Sequence, residues 1–334
     1  MPGRLGEIKA ERCNHGDLWL LFLGRGNQRL DTVTTATVVS RQYLNELSVT
    51  PSWGYIPKHR NPNTCFTIDR FHDPHHIAMN ELHSDEDNVL ELWHAASATK
   101  EPTWIEEHCW SYLTNEEKDR ANSFKVATTR NQFVVGKGIA RWSLSGNQDH
   151  LHEIEFGIED QGKPFVRSPA SAIKPFNLSH TDGLVVCLVG STTKHDRIGV
   201  DVERLDRRTS TDLAERYFSA PEIEYLDRTT DVAAKKNLFL KIWTLKEAFI
   251  KAIGTGLRTP LSHFAFNNLD SSNPSINFLD PVLGKRMNQE SMNWQFHSFE
   301  PRSGFIAATA VASSNADGLM PPVLRSFESH IEKR

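Results

Sequence analysis

The most constraining stretch of this chain is Ile198-Gly199-Val200-Asp201-Val202-Glu203, where apolar residues alternate strictly with a glycine and two acids. Side chains on extended backbone point to opposite faces in turn, so the run predicts a half-buried strand. Ile198, Val200 and Val202 face a core, and Gly199, Asp201 and Glu203 share the other surface. The two carboxylates start from backbone positions about 6.6 to 7 Å apart, near enough to converge on one hard cation, for which magnesium is the natural choice. Without such an ion their repulsion raises one pKa. A strand that merely shows its acids to water fits the same six residues.

A second pattern runs through Leu238, Ile242, Leu245, Phe249 and Ala252, spaced by threes and fours as the buried stripe of a helix within residues 232 to 253. Trp243, Glu247 and Lys251 form a different line at i, i+4 and i+8, with Lys246 beside it, and Gly254 and Gly256 end the helix. Glu247 is a third carboxylate, although an ordinary surface Glu-Lys pair has the same spacing. The third pattern, Phe176-Asn177-Leu178-Ser179-His180-Thr181, is an apolar strand ending in a hydroxyl and an imidazole, donors that suit a phosphate. A Ser-His nucleophile pair is disfavoured, since neighbours on a strand point apart. Gly162-Lys163-Pro164 adds a turn with one cation, and a helix opened by the capping box Thr114-Asn115-Glu116-Glu117 and running toward Leu144 adds Arg120, Arg130, Lys137 and Arg141.

Strand-like runs at 89–93, 153–156, 176–178 and 184–189, with helices between the first and second, are followed by a similar order of strand, helices and strands from 198 to 312. The order implies an α+β fold of two similar lobes related by a pseudo-twofold: 88–195 and, with the metal site, 196–315. Residues 1–87 read as a poorly ordered or unassigned extension, rich in turn formers as in Pro57 to Asn63, and 316–334 as a tail. His72, His75, His76 and His83 cluster there, but Pro74 breaks any helix that would align them, so a solvated loop is preferred to a metal site. Gly24-Arg25-Gly26 and Gly136-Lys137-Gly138 lack the further glycines, and the latter the hydroxyl residue, of nucleotide-binding loops.

Length and composition bound the function. At 334 residues the chain exceeds one typical domain, and 38% hydrophobic with 24% charged residues suits a folded soluble protein. Lys and Arg number 38 against 42 Asp and Glu, a net charge of −4, so no global basic field marks nucleic acid as a partner. No signal or membrane segment and no CxxC spacing among four cysteines points to a cytoplasmic protein without membrane attachment.

Taken in order, Gly162-Lys163-Pro164, Phe176-Asn177-Leu178-Ser179-His180, Gly199-Val200-Asp201-Val202-Glu203 and Trp243-Thr244-Leu245-Lys246-Glu247-Ala248-Phe249-Ile250-Lys251 resemble the 4′-phosphopantetheinyl transferase superfamily. The resemblance covers about residues 88 to 312 and is to the two-lobed, surfactin-synthetase-activating (Sfp) type. It implies Mg²⁺-dependent transfer of the phosphopantetheine arm of coenzyme A to a serine of an apo acyl or peptidyl carrier protein, with release of adenosine 3′,5′-bisphosphate. It further implies a monomer, a metal held by Asp201, Glu203 and Glu247, and a catalytic set of Glu247 and Lys251, with Glu222 as a second candidate base. Arg120, Lys163, Ser179, His180, Lys246 and Lys251 would bind coenzyme A, and the carrier would dock near helical residues 213 to 228. A catalytically inactive carrier-binding scaffold and a Mg²⁺-dependent phosphoesterase are the alternatives. Fatty-acid, polyketide, nonribosomal-peptide and lysine pathways all use such carriers, and the residues do not choose between them.

Overall fold

The computed structural model describes residues 89–145, 148–314 and 319–332, together with the backbone of four short strands in the preceding chain. The chain divides into two compact units, 1–82 and 83–334. In the first, β1 (Ile8–Arg12), β2 (Leu18–Leu23), β3 (Ala36–Ser40) and β4 (Cys65–Phe66) pair antiparallel in the order β3-β2-β1-β4. The reading of 1–87 as a poorly ordered extension did not foresee these strands, because only Leu18–Leu23 is apolar over a full strand length. The histidines at 72 to 83, the Gly24–Gly26 segment and Pro57 to Asn63 lie outside the described residues.

The second unit opens with β5 (Glu91–Ala96), α1 (Trp104–Trp110), α2 (Asn115–Ser123) and α3 (Ala127–Ser145). The hairpin β6 (Glu155–Ile158) and β7 (Pro164–Ser168) and the pair β8 (Phe176–Thr181) and β9 (Leu184–Val189) complete this half. The second half contains β10 (Arg197–Arg204), α4 (Leu213–Tyr217), α5 (Ala220–Asp227), α6 (Val232–Ala252), β11 (Phe264–Asn267) and β12 (Ser275–Phe278). It continues with α7 (Pro281–Gln289), β13 (Asn293–Phe299) and β14 (Phe305–Ser313), and the chain then adds β15 (Val323–Ser326) and α8 (Phe327–Ile331). Among the described residues no helix is long and apolar enough to cross a membrane.

The architecture is α+β, with one long helix on each of two sheets. One sheet has the order β15-β5-β9-β8 and the other β10-β14-β13. Val134, Val135 and Ile139 of α3 pack on Val185, Cys187 and Val189 of β9. Leu245, Phe249 and Ala252 of α6 pack in a core with Phe296, Ala308 and Ala310. The opposite faces of the two sheets share a third core, in which Leu92, Leu184, Val186 and Leu188 meet Ile198, Val200, Val202 and Val311. Residues alternate along β9 between the first core and the third, which explains why Leu184–Val189 is an uninterrupted apolar run.

Three features depart from the sequence reading. The capping box at Thr114 forms, with Glu117 N–H donating to Thr114 Oγ1 at 3.3 Å and Thr114 N–H to Glu117 Oε2 at 3.2 Å. The helix it opens nevertheless stops at Phe124, whose backbone is extended (ψ 128°), and whose ring lies 5.4 Å from that of Phe133 as α3 begins. The described part of the expected tail, residues 319–332, is packed on the domain: β15 pairs in parallel with β5, and Phe327 is fully buried in the first core. Lastly, β10 is covered on both faces, so the surface carrying Gly199 and Asp201 meets a helix and not open water. A Cβ on Gly199 would stand 2.1 Å from the Ala248 carbonyl oxygen and 2.5 Å from the Ala252 nitrogen, so only glycine lets α6 lie this close to β10.

Candidate functional site

That close approach brings the acids of β10 under the Glu247–Lys251 line of α6. Lys251 Nζ donates to Asp201 Oδ1 at 2.7 Å, to Ser179 Oγ at 3.0 Å and to the Val200 carbonyl at 3.2 Å. Ser179 Oγ donates to the same Asp201 Oδ1 at 2.9 Å. Asp201 is 6% exposed, and its second oxygen, Oδ2, is buried with no hydrogen-bond partner. Glu203, two residues along, accepts from Thr181 Oγ1 at 3.4 Å and is ion-paired with Arg207.

The carboxylates act on one another. Burial first, then the charges of Asp201 and Glu203, push Glu247 up to about 7 from an ordinary 4.5, against the opposing pull of Lys251. Glu203 is raised as well, by burial and by Asp201, with Arg207 opposing. The convergence expected from sequence is therefore electrostatic: among the described residues no three His, Cys, Asp or Glu side chains stand close enough to hold a metal ion as they lie. Lys251 and Arg207 meet part of the negative charge instead. The donor set still suits a hard dication. It comprises carboxylate oxygens alone, one of them buried without a partner, and two of the acids, Glu247 and Glu203, are disfavoured as anions by burial and then by the Asp201 charge.

Two residues expected in the chemistry belong to the framework. Lys246 is fully buried, with its Nζ donating to the carbonyls of Leu261 at 2.7 Å and Phe264 at 2.6 Å and ion-paired with Glu222 at 2.7 Å. Glu222 is 1% exposed and accepts from Ser219 N–H at 3.0 Å, Ser219 Oγ at 2.6 Å and Phe266 N–H at 2.9 Å. Lys246 thus has no reach to a diphosphate and Glu222 no access to a serine hydroxyl; the pair ties α5, α6 and β11 together. The single-residue offset between Lys246 and Glu247 turns one side chain into the core and the other toward Asp201.

The remaining expected residues divide. Ser179 is buried and His180 exposed, as adjacent strand positions should be. Crowding by the surrounding protein, and then the Lys251 charge, lowers the His180 pKa. Lys163 is tied to the Ile198 carbonyl at 3.0 Å and the Ala252 carbonyl at 3.2 Å, which places it at the C-terminal end of α6, and burial brings it down to about 8. Arg120 is exposed on α2 over the Phe124 ring, and among the described residues it makes no hydrogen bond or ion pair with the acidic cluster. Lys137 and Arg141 both pair with Glu117, and Arg141 is buried. A cleft of about 490 Å³ opens beside the cluster, where His180, Arg207 and Arg208 stand with the acids Asp182 and Glu203 and with Arg204 ion-paired to Asp206. The sequence reading gave no role to Thr181 or Arg207; the signals were their positions, two residues after Ser179 and four after Glu203.

Comparison with known proteins matches the same segment. A family model described as the 4′-phosphopantetheinyl transferase superfamily covers residues 197–310. The 4′-phosphopantetheinyl transferase HetI of Nostoc sp. is 33% identical over 205 residues, covering 60% of this chain and 78% of that protein. The 4′-phosphopantetheinyl transferase Sfp of Bacillus subtilis strain 168 is 28% identical over 176 residues, covering 52% of this chain and 75% of the relative. A further Bacillus subtilis 4′-phosphopantetheinyl transferase is 36% identical over 132 residues, 38% of this chain and 53% of its own length. With the strand, the helix and their acids in the matched region, the chain belongs to the 4′-phosphopantetheinyl transferase superfamily.

Proposed function

We propose that this protein transfers the 4′-phosphopantetheine arm of coenzyme A to a serine hydroxyl of an apo acyl or peptidyl carrier protein and releases adenosine 3′,5′-bisphosphate. The observation that carries the reading is the buried, unpartnered Oδ2 of Asp201 within a cluster of carboxylates and Lys251, in the segment shared with the family. Asp201, Glu203 and Glu247 would hold Mg²⁺. Bound there, the ion supplies Lewis-acid neutralisation of diphosphate charge.

The chain's own groups account for the rest. The serine oxygen forms a bond to the phosphorus nearer the pantetheine, and the bond from that phosphorus to the bridging oxygen breaks. The leaving nucleotide keeps that electron pair. Glu247 takes the serine proton directly or through a water it orients. Lys251, a flexible ammonium already at Asp201, faces the charge that develops on the departing oxygen. His180 and the arginines of the adjoining cleft offer cations and donors for phosphate oxygens, and Lys163 supports the nucleotide side.

Incubation with coenzyme A, Mg²⁺ and a panel of apo carriers, followed by intact-mass analysis, tests this reading. The expected result is a gain of about 340 Da on at least one carrier, lost when its serine is replaced by alanine. Absence of any gain across the panel overturns the reading in favour of a scaffold. Breakdown of coenzyme A without a carrier overturns it in favour of a phosphoesterase.

A further inference from the structure

The edge strands β8 and β10 belong to different sheets and share no backbone ladder, yet three alternate side chains of β8 reach β10. Asn177 Oδ1 accepts from Val200 N–H at 2.9 Å, Ser179 Oγ donates to Asp201 Oδ1 at 2.9 Å, and Thr181 Oγ1 donates to Glu203 Oε2 at 3.4 Å. Period-two alternation places all three on one face of β8, from which they reach the backbone of Val200 and the side chains of Asp201 and Glu203. Asn177 and Ser179 are buried, so neither bond has water as a ready substitute.

The bond at Ser179 has a specific consequence. Both Ser179 and Lys251 engage Oδ1 of Asp201, so one oxygen of this carboxylate is fixed while Oδ2 stays buried and unpartnered. Groups that hold one end of a ligand so that its other end is presented to a metal commonly govern metal affinity. We infer that β8 is a positioning strip for the acidic strand, with Ser179 and Thr181 as positioning residues for Asp201 and Glu203 and Asn177 as the clamp on the backbone N–H of Val200, just before Asp201. Ser179 then acts through Asp201 and is not a direct ligand of a nucleotide phosphate.

The inference rests on the metal reading above, and the test separates the two. Mn²⁺ binding to the full-length protein is followed by electron paramagnetic resonance without coenzyme A, for wild type, Ser179→Ala and Ser179→Thr, and KM for coenzyme A is measured in parallel. Ser179→Ala is expected to weaken Mn²⁺ binding by about 10- to 100-fold, with Ser179→Thr recovering most of the loss because it keeps the hydroxyl. KM for coenzyme A at saturating metal should change little. Wild-type Mn²⁺ affinity in Ser179→Ala together with a raised KM overturns the inference and makes Ser179 a phosphate ligand. If wild type itself binds no Mn²⁺, the metal reading falls and the inference with it. Should Ser179→Ala not fold, Thr181→Val carries the same test through Glu203: weakened Mn²⁺ binding supports the strip and unchanged binding overturns it.

Discussion

Lys246 and Glu247 are neighbours on α6, and each belongs to a cluster of acids and cations, but the clusters behave oppositely. At Lys246 every partner is supplied: two carbonyls and the Glu222 carboxylate complete an ammonium that never meets water. At Glu247 the balance is incomplete, with three acids against Lys251 and Arg207 and one Asp201 oxygen left over. A satisfied buried network serves as framework, whereas an unsatisfied one draws in a proton, a cation or a substrate. The residue types are the same, and partner count decides which role each takes.

The sharpest way to break this comparison is Lys246→Met. It leaves the Glu222 carboxylate buried without its cation and should cost about 3–5 kcal/mol, read by urea unfolding. A variant of wild-type stability but raised KM for coenzyme A would return Lys246 to the phosphate-binding role. Next, Asp201→Asn keeps the side-chain shape but removes the charge of a proposed ligand, and should lower kcat of Mg²⁺-dependent transfer by about 10²–10³-fold with the fold retained by circular dichroism. Unaltered turnover would remove Asp201 from the chemistry.

The smallest effect concerns pH. Glu247 ionises near 4.5 in the unfolded chain and near 7 in the fold, so the folded state binds more protons between these values and loses stability as pH rises across them. Glu247→Gln carries no such charge. With chelator present it should gain on wild type by on the order of 1–3 kcal/mol between pH 5 and pH 8, measured by urea unfolding at both. An identical difference at the two pH values would show that Glu247 is not held out of its anionic form.

The elements whose burial follows a single period were readable from sequence. The β10 strand and the α6 helix form where their periods place them, although β10 is covered on both faces and not on one. Elements that depend on distant partners were not readable. β15 is a strand because β5 has a free edge, and α2 ends at Phe124 because that ring has Phe133 to meet. Of the site, the acids were legible as residues that share a strand face. Their cations were not: Arg207 reaches Glu203 from a loop, and Lys251 reaches Asp201 across a gap that Gly199 keeps narrow.

Sequence alone determined which residues could carry charge on the site surface, because alternation and helical periodicity are local properties of the backbone. Only the tertiary structure decided which charges are spent on holding the fold and which remain for chemistry. That choice depends on whether a side chain's oxygens and protons find buried partners, and for Glu222, Lys246, Ser179 and Asp201 those partners come from other segments of the chain.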